Sequence, residues 1–83
     1  MKIQLKLFAN LGTCLPADAV HNQIELDVPE GTTPAHLIQQ FNIPPRLAHL
    51  VLVNGVYLYP EQRGQQQLVE GDVLAIWPPI AGG

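Results

Sequence analysis

The residues best suited to react in this chain stand at the C-terminal end of the sequence, Pro78-Pro79-Ile80-Ala81-Gly82-Gly83. Prolines cannot donate ladder hydrogen bonds, so any sheet ends before them and the following backbone is held extended. Glycines carry no side chain and let a backbone approach closely to a partner. Six extended residues reach roughly 20 Å at ~3.3 Å each. The expected product is an extended, flexible tail over 78–83: a thread narrow enough for a tunnel that admits no side chain, ending in a carboxylate. A terminal carboxylate has a pKa of about 3.5 and is ionised at neutral pH. It is a poor electrophile until joined to a good leaving group; joined to AMP, it would be open to attack by sulfur or an amine. A partner must supply the nucleotide site, since neither G-x-x-x-x-G-K-[ST] nor G-x-G-x-x-G occurs here.

Conventional catalytic equipment is thin. The chain has no serine. His21, His36 and His49 lack ligand-like i, i+4 pairing, so no metal site is expected, and with Cys14 they read as scattered loop and surface residues. Cys14 is the single cysteine, which excludes an intrachain disulfide. Glu25 and Asp27 fall two apart on one strand face, where a solvated edge explains them better than a carboxylate pair. A net charge of -3, with only four Lys and Arg, leaves no footprint for nucleic acid. The N-terminus lacks the apolar stretch of a signal peptide, and no apolar run nears the ~18 residues of a membrane span. The expected compartment is the cytoplasm. Charged residues make up 13% of the chain, against ~25% in an average soluble domain. Hydrophobic residues make up 47%, so some apolar surface is expected to await a partner.

The elements that must position the tail follow from periodicity. Lys2 to Phe8 alternates, with Ile3, Leu5 and Leu7 on one face and Phe8 breaking the polar face. Asn10 to His21 reads as a loop with one short turn. Gln23 to Val28 alternates again, with Ile24, Leu26 and Val28 inward. Thr33 and Pro34 form a helix start, as N-cap and first helical residue. Leu37, Ile38 and Phe41 make an apolar stripe, His36 faces water, and Asn42 with Pro44-Pro45 ends the helix. Leu50 to Val53 reads as a strand buried on both faces before the Asn54-Gly55 turn. Val56 to Tyr59 reads as a short edge strand. After the Glu70-Gly71-Asp72 turn, Val73 to Trp77 is the last strand. The opening strands form a hairpin, and the helical crossover favours a parallel return. This order implies an α+β fold of ubiquitin-like β-grasp type: a mixed sheet of four to five strands with one main helix on one face. The domain spans 1–77 and the tail 78–83.

These residues carry a family likeness. Trp77-Pro78-Pro79-Ile80-Ala81-Gly82-Gly83, Leu52-Val53-Asn54-Gly55, Leu68-Val69-Glu70-Gly71-Asp72 and the strand ending Leu7-Phe8-Ala9 resemble the sulfur-carrier proteins of the MoaD/ThiS family. Within it they look most like the small subunits of molybdopterin synthase. Those subunits usually carry an Arg-Glu pair in a helix after the first strand, where this chain has Asn10-Leu11-Gly12-Thr13-Cys14. The Pro-Pro pair differs from a typical thiamine-pathway carrier.

The resemblance implies a protein that is a co-substrate and not an enzyme by itself. A ubiquitin-activating-type adenylyltransferase would adenylate Gly83, using ATP and magnesium that this chain does not bind. A sulfurtransferase would then leave a thiocarboxylate. The tail, Pro78 to Gly82, would thread into the large subunit of molybdopterin synthase, where the thiocarboxylate sulfur would attack a pterin precursor in molybdenum cofactor biosynthesis. Partners would dock on an apolar patch of Phe8, Val73, Ala75 and Trp77. The competing readings are a sulfur carrier for tungsten cofactor, thiamine or cysteine synthesis, a ubiquitin-like protein modifier, and a non-covalent β-grasp interaction module.

Overall fold

The computed structural model describes residues 1–79. The strands are β1 (Lys2–Leu7), β2 (Gln23–Asp27), β3 (Leu50–Val53), β4 (Val56–Tyr57) and β5 (Val73–Trp77), with one α-helix, α1 (Pro34–Gln40), between β2 and β3. They form one mixed sheet in the order β2-β1-β5-β3-β4. β1 pairs antiparallel with β2 and parallel with β5, and β5 pairs antiparallel with β3. These pairings make β3 run in the same direction as β2, as a helical crossover favours, although two strands lie between them. This is the β-grasp layout implied by the element order.

The alternation in β1 is obeyed closely: Ile3, Leu5 and Leu7 are buried while Lys2 and Gln4 are exposed. Leu74 and Ile76 of β5, Val51 and Val53 of β3, and Leu37 of α1 complete the same core. Thr33 and His36 cap α1 reciprocally. The His36 backbone N–H donates to Thr33 Oγ1 at 3.3 Å, and the Thr33 N–H donates to His36 Nδ1 at 3.4 Å. His36 is exposed, as expected, yet its ring also closes the cap. Asn42 ends the helix in a left-handed conformation, φ 57°, which Asn adopts more readily than most residues.

Three sequence expectations change. First, the β1–β2 connection holds more than a loop with one short turn. A 3-10 helix spans Ala9–Cys14 and buries its own Leu11 in the core, and Val20 bridges to Gln23. Second, β3 is not buried on both faces: Val51 and Val53 point inward, whereas Leu50 is exposed and Leu52 half-buried. The helix covers only one side of the sheet, so a continuous apolar run places half of its residues on the open side. Third, β4 stops at Tyr57, and a 3-10 turn begins at Pro60.

Two turns are locked together. Asn54 and Gly55 both have positive φ, 52° and 83°, the requirement of a type I′ hairpin turn. Asn54 Nδ2 donates to Asp72 Oδ1 at 2.8 Å, and the Val73 N–H donates to Asn54 Oδ1 at 2.9 Å. The Val69 N–H donates to Asp72 Oδ2 at 2.9 Å. Asp72 is buried and fully engaged, so its side chain fixes where β5 begins relative to β3.

Candidate functional site: the open sheet face and the root of the tail

Register decides which side chains share the open face. Gln4 stands beside Val73, and Lys6 beside Ala75. Leu52 stands opposite Ala75 on one side and Tyr57 on the other, and Leu50 opposite Trp77. Side chains alternate across a sheet, so these residues lie on the face away from Leu74 and Ile76. The Phe8 N–H donates to Ile76 O at 3.1 Å, carrying the β1–β5 ladder one bond beyond β1. The Phe8 ring then stacks on Trp77, with centroids 4.0 Å apart and planes 3° from parallel. Ala9 turns the chain immediately afterwards at φ 53°.

The four residues expected to form a docking patch therefore share one face. Phe8, Val73 and Trp77 are half-buried. Ala75 is buried at 8% exposure, so it supplies floor and little contact surface. Periodicity missed Leu50, Leu52 and Tyr57, which extend the patch across β3 and β4. Their signal was the all-apolar run Leu50 to Val53, but only pairing with β5 shows which two of its residues face outward. The face is graded. Its apolar end holds Phe8, Trp77 and Leu50; its other end holds Gln4, Lys2 and Glu25, the last two 3.6 Å apart as an ion pair.

The root of the tail lies at the apolar end. β5 is the central strand, held by β1 on one side and β3 on the other. The His49 N–H donates to Trp77 O at 3.2 Å, the last backbone bond on that strand. Pro78 is buried and Pro79 exposed. Ile80, Ala81, Gly82 and Gly83, expected to form the thread, lie outside the described residues. The remaining candidates stay apart: His21 and His49 are exposed and Cys14 is half-buried. Among the described residues no three of the His, Cys, Asp and Glu side chains gather as metal ligands would. No described helix is long and apolar enough to cross a membrane.

Comparison with known proteins returns related sequences and folds. The model of the ThiS family matches residues 5–83. SAMP1 from Haloferax volcanii is 25% identical over the full length of both chains, with a TM-score of 0.68. A molybdopterin converting factor subunit 1 from Pyrococcus furiosus is 22% identical, over 95% of this chain and 98% of that one, with a TM-score of 0.65. A chain from the complex of subunits 1 and 2 of the molybdopterin-converting factor of Helicobacter pylori is 16% identical over all of both chains, with a TM-score of 0.59. The last two likenesses are of fold. No curated protein matches the chain by sequence.

Proposed function

Since the chain belongs to the ThiS family, we propose that it is a sulfur carrier whose reacting group is the carboxylate of Gly83 and whose acceptor is the precursor of molybdopterin. One observation carries this reading. Trp77 is both the last residue of the central strand and half of the aromatic stack on the open face. A partner seated on Phe8, Trp77 and Leu50 would hold the domain at the point where the tail begins. The tail would then be aimed by a rigid body and not by a loop, and Pro78-Pro79 would limit its directions.

The chemistry asks little of this chain's side chains. In an activating partner, a Gly83 carboxylate oxygen attacks the α-phosphorus of ATP and pyrophosphate leaves, giving an acyl adenylate. A persulfide sulfur displaces AMP, and thiol cleavage of the resulting acyl disulfide leaves a thiocarboxylate. In the large subunit of a molybdopterin synthase-type complex the thiocarboxylate sulfur attacks a carbon of the pterin precursor and an oxygen leaves. Water then cleaves the thioester so formed, which leaves the sulfur on the pterin and returns the carrier's carboxylate. The Helicobacter pylori complex of subunits 1 and 2 supports a partner of this kind, as does the Pro-Pro lead-in to the diglycine.

The test is intact mass after incubation with an adenylyltransferase of the ubiquitin-activating type, ATP, magnesium and a sulfur donor. A gain equal to sulfur replacing oxygen, localised to Gly83 and lost on deleting Gly82 and Gly83, is the expected result. No adduct under conditions where an established carrier reacts would sink the proposal. Covalent ladders on lysines, lost with the same deletion, would make the chain a protein modifier instead. Transfer of the sulfur to a different acceptor by the cognate large subunit would move it to another pathway.

A further inference from the structure

A second apolar region lies between α1 and β4. A groove of about 1000 Å³ runs there. Its floor is apolar, with Ile43 and Ala48 buried and Ile38 half-buried. Its walls are cationic. Arg46 and Arg63, the two arginines of the chain, line it together with His49, and none of the seven acidic residues does. That is a sharp local inversion in a chain of net charge -3.

The two arginines differ in freedom. Arg63 is pinned: its Nη1 donates to Ala48 O at 2.8 Å, Nε to Leu58 O at 3.1 Å and Nη2 to His49 O at 3.2 Å. Its charge is therefore fixed at the groove wall, 5.8 Å from the Tyr57 ring centroid. Arg46 is exposed on the short 3-10 turn Pro45–Leu47. Neither arginine forms an ion pair among the described residues. Beside the groove runs β4, the terminal strand of the sheet, which pairs on one side only. Val56 and Tyr59 at this edge are 66% and 58% exposed.

We propose that this groove docks an extended acidic segment of a partner protein. Its backbone would lie along the free edge of β4, an apolar side chain would sit over Ile38 and Ile43, and carboxylates would face Arg46 and His49. On this two-residue strand only the Tyr57 backbone faces outward, the Tyr59 N–H being taken by Gln62 Oε1 at 2.9 Å. Strand addition therefore supplies a single pair of backbone bonds, and the groove supplies the side-chain selectivity. Charge complementarity selects an acidic partner and disfavours basic ones. An apolar floor of this extent has nothing to offer a free inorganic anion. Two arginines are too few for nucleic acid. The site adjoins the open face, sharing Tyr57 with it and reaching Trp77 only through the His49 backbone; it includes neither Phe8 nor Trp77 and does not use the C-terminus.

The test is an unbiased selection from a random peptide display library on the immobilised full chain. Recovered peptides are then mapped by amide chemical shifts. The expected result is a consensus of at least two acidic residues beside a large apolar one, with shifts gathered at Ile38, Ile43, Arg46, His49 and Tyr57. Arg46→Glu, at an exposed position, weakens these peptides about tenfold, in line with loss of a close charge pair. Deleting Gly82 and Gly83 leaves their affinity unchanged, so the outcome is read independently of the sulfur-carrier reading. The proposal is overturned by a selection without acidic enrichment or without binders. It is equally overturned by shifts centred on Phe8 and Trp77, by loss of binding on removal of the two glycines, or by inorganic phosphate alone reproducing the shifts.

Discussion

At the scale of single residues, Asp72 and the Phe8–Trp77 pair have the most to answer for. Asp72 is buried and accepts from Asn54 Nδ2 and the Val69 N–H. Replacing it with Ala strands two donors, at a cost of about 1–3 kcal/mol. Asn54→Ala breaks the same link and also places a Cβ residue without a polar side chain at φ 52°. Because the two side chains share one network, their double mutant should show a coupling of about 0.5–3 kcal/mol in urea denaturation. Strict additivity would mean that the two turns are held independently. For the aromatic pair, a double-mutant cycle of Phe8→Leu and Trp77→Leu should return about 0.5–1.5 kcal/mol beyond area burial. Phe8→Asp should leave the core intact while weakening the activating partner at least tenfold in a binding titration. An unchanged affinity would remove the open face from the docking argument.

At the scale of elements, α1 is only seven residues long, too short to hold itself by backbone bonding alone. Its cap and its buried Leu37 must hold it. Thr33→Ala should therefore cost about 1 kcal/mol, with Thr33→Ser close to the parent protein, when thermal or urea unfolding is measured. The sheet offers a sharper contrast between its faces. Leu74→Ala removes a fully buried side chain and should cost about 2–5 kcal/mol. A domain of this size holds a margin of roughly 3–5 kcal/mol, so that variant should lose most of its stability and show a much lower urea midpoint. Leu50→Ala, on the open face at 42% exposure, should cost less than about 1 kcal/mol yet reduce partner binding. Equal costs for the two leucines would show that β3 is buried on both faces after all.

At the scale of the whole molecule, the Cα radius of gyration is 11.8 Å, the ~12 Å expected of a compact domain of this length. Such a body has room for one core and few distinct surfaces. On the proposed function every partner that must reach the tail docks on the open sheet face, so the activating enzyme and the large subunit should exclude one another. A competition titration is expected to show full displacement, and a ternary complex would contradict a single shared face. The low charge of the chain follows from the same economy. Among the described residues, four of the six exposed large hydrophobics, Leu50, Val56, Tyr57 and Tyr59, lie on the open face or along the β4 edge, while Val20 and Val69 stand exposed elsewhere.

Much of this was legible in the residues, and the limit is physical. Alternation in Lys2–Leu7 and Val73–Trp77, the Thr33-Pro34 helix start, the Asn54-Gly55 turn and the Pro-Pro lead-in each depend on a few neighbouring residues. Local backbone preferences therefore determine them, and with them the order of elements and the β-grasp layout. What periodicity could not tell was which half of Leu50 to Val53 faces outward, because an unbroken apolar run has no phase. Nor could it reveal that Ala9–Cys14 coils into a 3-10 helix that buries its own Leu11, or that Asp72 reaches Asn54. Those depend on strand pairing between residues far apart in the chain. The tertiary structure alone decides them, since a shift of one residue in register would exchange the open face for the core.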